Sequence, residues 1–136
     1  MSTTPHILFV CVENSCRSQM AEAFVRSLAG EHTAAWSAGS RPAEHIHPTA
    51  VQLMKERGID LAGHRPRGLD DLPQVTWDRV VTMGCGDACP SLPTRGRLDW
   101  DLPDPKGMDD EGFRAVRDEI GRRVERLLEE MQVRQR

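Results

Sequence analysis

An apolar run that ends in a cysteine and passes through a short polar loop into a helix leaves a chain few ways to fold. This chain does so near its start, in His6-Ile7-Leu8-Phe9-Val10-Cys11-Val12-Glu13-Asn14-Ser15-Cys16-Arg17-Ser18. Ile7–Val10 is short, apolar and partly β-branched, as a central parallel strand requires. From Ser18 to Leu28, Met20, Phe24 and Leu28 form one stripe with Ala21 and Val25 beside it, which predicts a helix stopped at Gly30. A loop wound onto a helix N-terminus turns several backbone N–H groups toward one point, a site for an oxyanion or a thiolate. The positive helix end, Arg17 and the Ser18 hydroxyl all favour a thiolate at Cys11. Arg17 brings a planar fork of donors suited to a tetrahedral oxyanion, and Asn14 tolerates the left-handed backbone of a tight loop. The chemistry this pattern points to is attack by sulfur on a bound oxyanion. A buried cysteine ending a core strand is the plainer alternative for Cys11.

The rest of the chain continues the alternation. Strands are expected at Thr33–Ser37 (ended by Gly39), Trp77–Met83 and Leu98–Trp100. Pro48 opens a helix that ends near Gly58, and a last helix from about Asp109 carries Phe113, Val116, Ile120, Val124, Leu127 and Met131. Gly63–Gly68 and the cysteine-, proline- and glycine-bearing stretch Gly84–Gly96 read as loops. The expected fold is α/β: a single-domain open parallel sheet of about four strands with helices on both faces. Residues 1–136 form that one domain, with 1–5 and 132–136 as frayed tails. In such sheets ligands lie beyond the carboxyl ends of the strands, where Cys11, Cys85 and Asp104 all fall.

With 29% charged residues and a net charge of only −3, the chain suits neither nucleic acid nor an anionic membrane. It shows neither an apolar run of membrane-spanning length nor a signal-peptide pattern at its start. A cytoplasmic setting is expected, and four cysteines there suggest catalysis, redox work or metal rather than structural bridges.

Cys11 through Ala23, followed by Trp36-Ser37-Ala38-Gly39, resembles the low-molecular-weight protein-tyrosine phosphatase superfamily. Asn14-Ser15-Cys16-Arg17-Ser18-Gln19-Met20-Ala21-Glu22 is most similar to its thioredoxin-coupled arsenate reductase branch. The resemblance implies a phosphatase-like fold, an oxyanion-binding loop over Val12, Glu13, Asn14, Ser15, Cys16 and Arg17, and Asp104-Pro105 as the Asp-Pro that carries the general acid. Lys106-Gly107 follows that pair where the tyrosine phosphatases usually have tyrosines, and this chain has no tyrosine. Gly84-Cys85-Gly86-Asp87-Ala88-Cys89-Pro90 supplies the further thiols a reductase needs. The implied catalytic set is therefore Cys11, Arg17, Ser18, Cys85, Cys89 and Asp104, with arsenate as substrate, thioredoxin as reductant and a monomer as the working form. Joining Cys85 to Cys89 requires distortion, since residues four apart on a helix hold their Cβ atoms about 5–6 Å apart and a disulfide needs about 3.5–4.5 Å. Gly84 and Gly86 make that loop the expected moving part.

Glu13 stands where the family usually has glycine. At about 8 Å and an effective dielectric of about 20, its charge would repel a bound oxyanion by roughly 2 kcal/mol, so it is expected to face solvent. Some reductases of the branch bind potassium near positions matching Asn14, Glu22 and Ser37, together with an acidic loop residue. Here Arg67 takes that last place, which argues against a potassium effect, and no cofactor is required. Taken alone, Glu22 reads as a surface residue of the first helix, His64 as an exposed loop residue and Cys16 as a packing residue. Zinc held by Cys85, Cys89 and Cys16 or His45 and His47 fits no familiar ligand spacing. Two alternatives stand beside the reductase: a phosphatase with redox-protective cysteines, and a thiol redox sensor or metal-binding module.

Overall fold

The computed structural model describes residues 4–84 and 91–135. Among them, strands β1 (His6–Cys11), β2 (Ala34–Gly39), β3 (Arg79–Thr82) and β4 (Arg97–Asp99) alternate with helices α1 (Arg17–Ala29), α2 (Pro48–Lys55) and α3 (Asp110–Glu130). The four strands form one sheet in the order β2-β1-β3-β4, every pair parallel. The connection from β1 runs to one side and the next returns to the other, so the carboxyl end of β1 is a switch point. Register places Cys11 beside Gly39 and Val10 beside Thr82.

Period-two alternation in β1 divides the interior. Ile7, Phe9 and Cys11 join the larger core with Met20 and Phe24 of α1, Leu53 and Met54 of α2, and Ile120 and Val124 of α3. Leu8 and Val10 face a smaller cluster with Ala38, Trp77 and Val80. Helices α1, α2 and α3 pack on the Phe9 side. Among the described residues, the second face is covered by the 3-10 turn Leu69–Asp71, Leu72, Val75 and Leu92. A short sheet face needs only a few apolar side chains to exclude water, and a segment of loop supplies them.

Local signals set the helix ends. Pro48 occupies the first turn of α2, and the His47 Nδ1 accepts the Thr49 N–H at 3.2 Å. His47 is thus a cap that also packs its ring against Phe113. Asp109 caps α3 by accepting the Gly112 N–H at 2.9 Å. Glu56, at the end of α2, takes a bidentate pair from Arg114 at 2.9 and 2.8 Å and a third bond from Arg117 at 2.7 Å. Arg117 is buried and also donates to the Leu53 carbonyl at 2.8 Å, so that arginine of the last helix does not belong to a solvated face.

The Pro5 carbonyl accepts the Ala34 N–H at 2.9 Å. After α3, Gln132 is left-handed (φ 57°), and Gln132 and Val133 bond back to Glu129 and Leu128. Of the Gly84–Gly96 loop, residues 93–96 lie alongside Trp77 and β3: Trp77 N–H donates to Pro93 O and Arg95 N–H to Trp77 O, at 2.9 and 2.8 Å. No helix of the described residues is long and apolar enough to cross a membrane.

Candidate active site at the end of the first strand

The segment between β1 and α1 closes around the Cys11 sulfur. Asn14 takes the left-handed conformation (φ 53°), which turns its N–H onto Cys11 Sγ at 3.2 Å. Ser18 Oγ lies 2.7 Å from the same sulfur. Asn14 Nδ2 donates to Ser18 Oγ at 2.8 Å, which leaves the serine proton free to point at sulfur. The Asn14 amide is itself held in that orientation, since its Oδ1 accepts from Gln19 Nε2 at 2.9 Å and from the Arg67 N–H at 2.8 Å. Asn14 and Ser18 are fully buried. This network depends on a close approach: a Cβ on Gly39 would strike the Val12 carbonyl and come within 3.0 Å of the Asn14 nitrogen. Gly39 is required there because the anion loop lies directly on the end of β2.

Arg17 is buried and donates through Nη1 to the Leu102 carbonyl at 2.9 Å, while Nη2 stands 3.8 Å from Asp104 Oδ2. Gly84 (φ 79°) lets the guanidinium lie against β3's exit, since a Cβ there would fall 2.7 Å from Arg17 Nη1. Cys11, Arg17 and Asp104 line one cleft of about 700 Å³. Val12, Glu13, Ser15 and Cys16 line it as well. The structure therefore gathers Cys11 and Arg17, from the two ends of one loop, with Asp104 from far along the chain, and Asn14 and Ser18 lie beneath them. Cys85 and Cys89 lie outside the described residues.

The expected neighbours of the loop behave differently from one another. Cys16 is buried, and burial pushes its thiol up to about 12, against smaller opposing effects of the Ser15 hydrogen bond and Arg17. Glu13 faces the rim as expected, and there it binds Lys106 Nζ at 2.7 and 3.1 Å. Arg41 and Asp101 also line the cleft and carried no signal of their own in the sequence, whereas Gly84 was expected there only as a hinge.

Glu22 corrects the surface reading. Its carboxylate is buried, accepts Ser37 Oγ–H at 2.6 Å and Arg26 Nε–H at 2.8 Å, and lies 3.6 Å from Arg67 Nη1. Arg67 is stacked over Trp36 at 4.8 Å from the ring centre. His64 is not free either, since its Nδ1 lies 3.2 Å from Gln19 Oε1. Two guanidinium groups, those of Arg26 and Arg67, thus stand around the Glu22 carboxylate, and Asn14 Oδ1 is engaged by Gln19 and Arg67.

Comparison with known proteins follows the same lines. Residues 6–136 match the family described as low molecular weight phosphotyrosine protein phosphatase. A glutaredoxin arsenate reductase of Synechocystis is 38% identical over 125 residues, covering 90% of this chain and 95% of that protein. An arsenate reductase of Halalkalibacterium halodurans is 41% identical over 133 residues, covering 90% and 94%. The solved thioredoxin-dependent arsenate reductase of Corynebacterium glutamicum superposes with a TM-score of 0.79 at 37% identity, over 96% of this chain and 63% of that longer one. A cysteine cradled at the end of the first strand, an arginine six positions on and an aspartate across the cleft place this chain in the low-molecular-weight phosphotyrosine protein phosphatase family.

Proposed function

We propose that the protein is an arsenate reductase, and that Cys11, Arg17, Ser18, Asp104, Cys85 and Cys89 carry the reaction. The observation that bears most weight is the cleft in which a cradled sulfur, a buried guanidinium and a half-exposed carboxylate face the same space. Arg17 and the N–H groups of the loop hold the arsenate oxygens. The Cys11 thiolate attacks arsenic, an As–O bond breaks, and Asp104 gives the departing oxygen its proton. Cys85 thiolate then attacks the Cys11 sulfur. The electron pair of the S–As bond stays with arsenic, which leaves as arsenite, and a Cys11–Cys85 disulfide forms. Cys89 attacks Cys85, releasing Cys11 as thiolate, and a Cys85–Cys89 disulfide is left for thioredoxin to reduce. Two electrons pass from thioredoxin to arsenic in each cycle.

The reaction needs no resident cofactor. At the Glu22 cluster, Arg67 supplies the positive charge that a potassium ion would otherwise bring, so turnover is the same in potassium and sodium salts of equal ionic strength. The protein acts as a cytoplasmic monomer. A phosphatase shares Cys11, Arg17 and Asp104, and the test must separate the two. Cys85→Ser abolishes arsenate turnover and leaves hydrolysis of an aryl phosphate in place if the protein is a reductase; a phosphatase loses nothing. Mass-spectrometric mapping after one arsenate turnover without reductant should find Cys85–Cys89 as the dominant disulfide. Persistence of arsenate reduction in Cys85→Ser would overturn the relay.

A further inference from the structure

Asp104 would serve as acid from an unpromising place. Its side chain is half exposed, its contact with Arg17 is long at 3.8 Å, and its loop carries prolines on either side. Within its own loop, Asp104 Oδ1 accepts the Lys106 N–H at 3.0 Å. Lys106 is in turn bound to the anion loop, through both carboxylate oxygens of Glu13 at 2.7 and 3.1 Å. Glu13 lies two positions beyond Cys11 and Lys106 two positions beyond Asp104. The pair therefore spans 93 residues of chain to join the loop of the nucleophile to the loop of the acid.

We propose that Glu13 and Lys106 are positioning residues: a clasp across the cleft rim that fixes the Asp104 loop relative to Cys11. The clasp also settles the charge problem that Glu13 raises, because a carboxylate paired with an ammonium presents little net charge to an incoming oxyanion. Breaking it from either side lets the acid loop drift, and proton delivery falls off steeply with misplacement. The two halves differ in their effect on binding. Removing Lys106 leaves the Glu13 charge unopposed near the oxyanion, whereas removing the Glu13 charge leaves a free ammonium that attracts it.

The inference rests on the reductase reading of the same cleft, and the test separates the two. Wild type, Glu13→Gln, Lys106→Gln, the double variant and the exchange Glu13→Lys/Lys106→Glu are assayed for arsenate turnover with thioredoxin. Each single variant should lower kcat about fivefold, and the double variant should be no worse than either single one. KM should rise in Lys106→Gln and stay level or fall in Glu13→Gln. The exchange should recover most of kcat. All five proteins should unfold within about 2 °C of one another, since a pair exposed to this degree adds little stability. An inactive wild type overturns the reductase reading. An active wild type with unchanged kcat in both single variants overturns the clasp, as does a double variant whose losses simply multiply.

Discussion

Cys11 and Cys16 share one loop, yet their surroundings ask different things of sulfur. Cys11 receives the Asn14 N–H and faces the Ser18 hydroxyl, a setting built for a reacting atom. Among the described residues Cys16 has only the weak Ser15 contact at 3.8 Å, and burial keeps it a thiol, its pKa raised to about 12. In native protein at pH 8, iodoacetamide should therefore leave Cys16 unmodified, and it should react once urea unfolds the chain; peptide mass spectrometry reads both outcomes. At Arg17 the constraint is space. Gly84→Ala would set a methyl group against Arg17 Nη1, displace the guanidinium and lower kcat/KM for arsenate by about 10-fold or more, with little change in far-ultraviolet circular dichroism. The cysteine and arginine were readable from their spacing. Gly84's part was not, because a close approach between residues so far apart in the chain leaves no mark on either one's neighbours.

Between elements, two contacts hold the helices of the layer to one another. Phe24 of α1 is buried against α3, where Gly121 leaves just enough room for its ring: a Cβ there would stand 3.2 Å from the ring carbons. Phe24→Ala empties that seam and should cost about 3–5 kcal/mol in urea unfolding. The α2–α3 contact instead depends on pH. Hydrogen bonds from Arg114 and then Arg117 lower Glu56 from 4.5 to about 2. Because the folded value is the lower one, its contribution is complete above pH 4.5 and is lost as pH falls toward 2. Thermal unfolding should show that loss in wild type, and Glu56→Gln should flatten it; added salt should weaken it, since Glu56 is exposed. The stripe from Phe113 to Met131 announced α3 from sequence alone. That Arg117 would turn inward onto the end of α2 was hidden, since an arginine among glutamates reads as a solvated face until another helix is set against it.

For the molecule as a whole, an oxyanion held by the loop as proposed would couple its binding to folding. Phosphate at 100 times its dissociation constant should stabilise the native state by about 2.7 kcal/mol, and Arg17→Ala should abolish that gain; a chemical unfolding series with and without phosphate checks it. What the sequence by itself determined is the contiguous part: an apolar strand, a cysteine loop and a helix over residues 6–29, and the parallel α/β class. Period-two and helical patterns act over a few residues, so they survive without knowledge of the rest of the fold. Only the tertiary structure decided that α1, α2 and α3 share one face of the sheet, that Glu22 is buried between two guanidinium groups, and that Glu13 is met by Lys106. Each of these depends on where the chain returns after tens of residues. A side chain's burial and charge partner are set by that return, not by its neighbours in sequence.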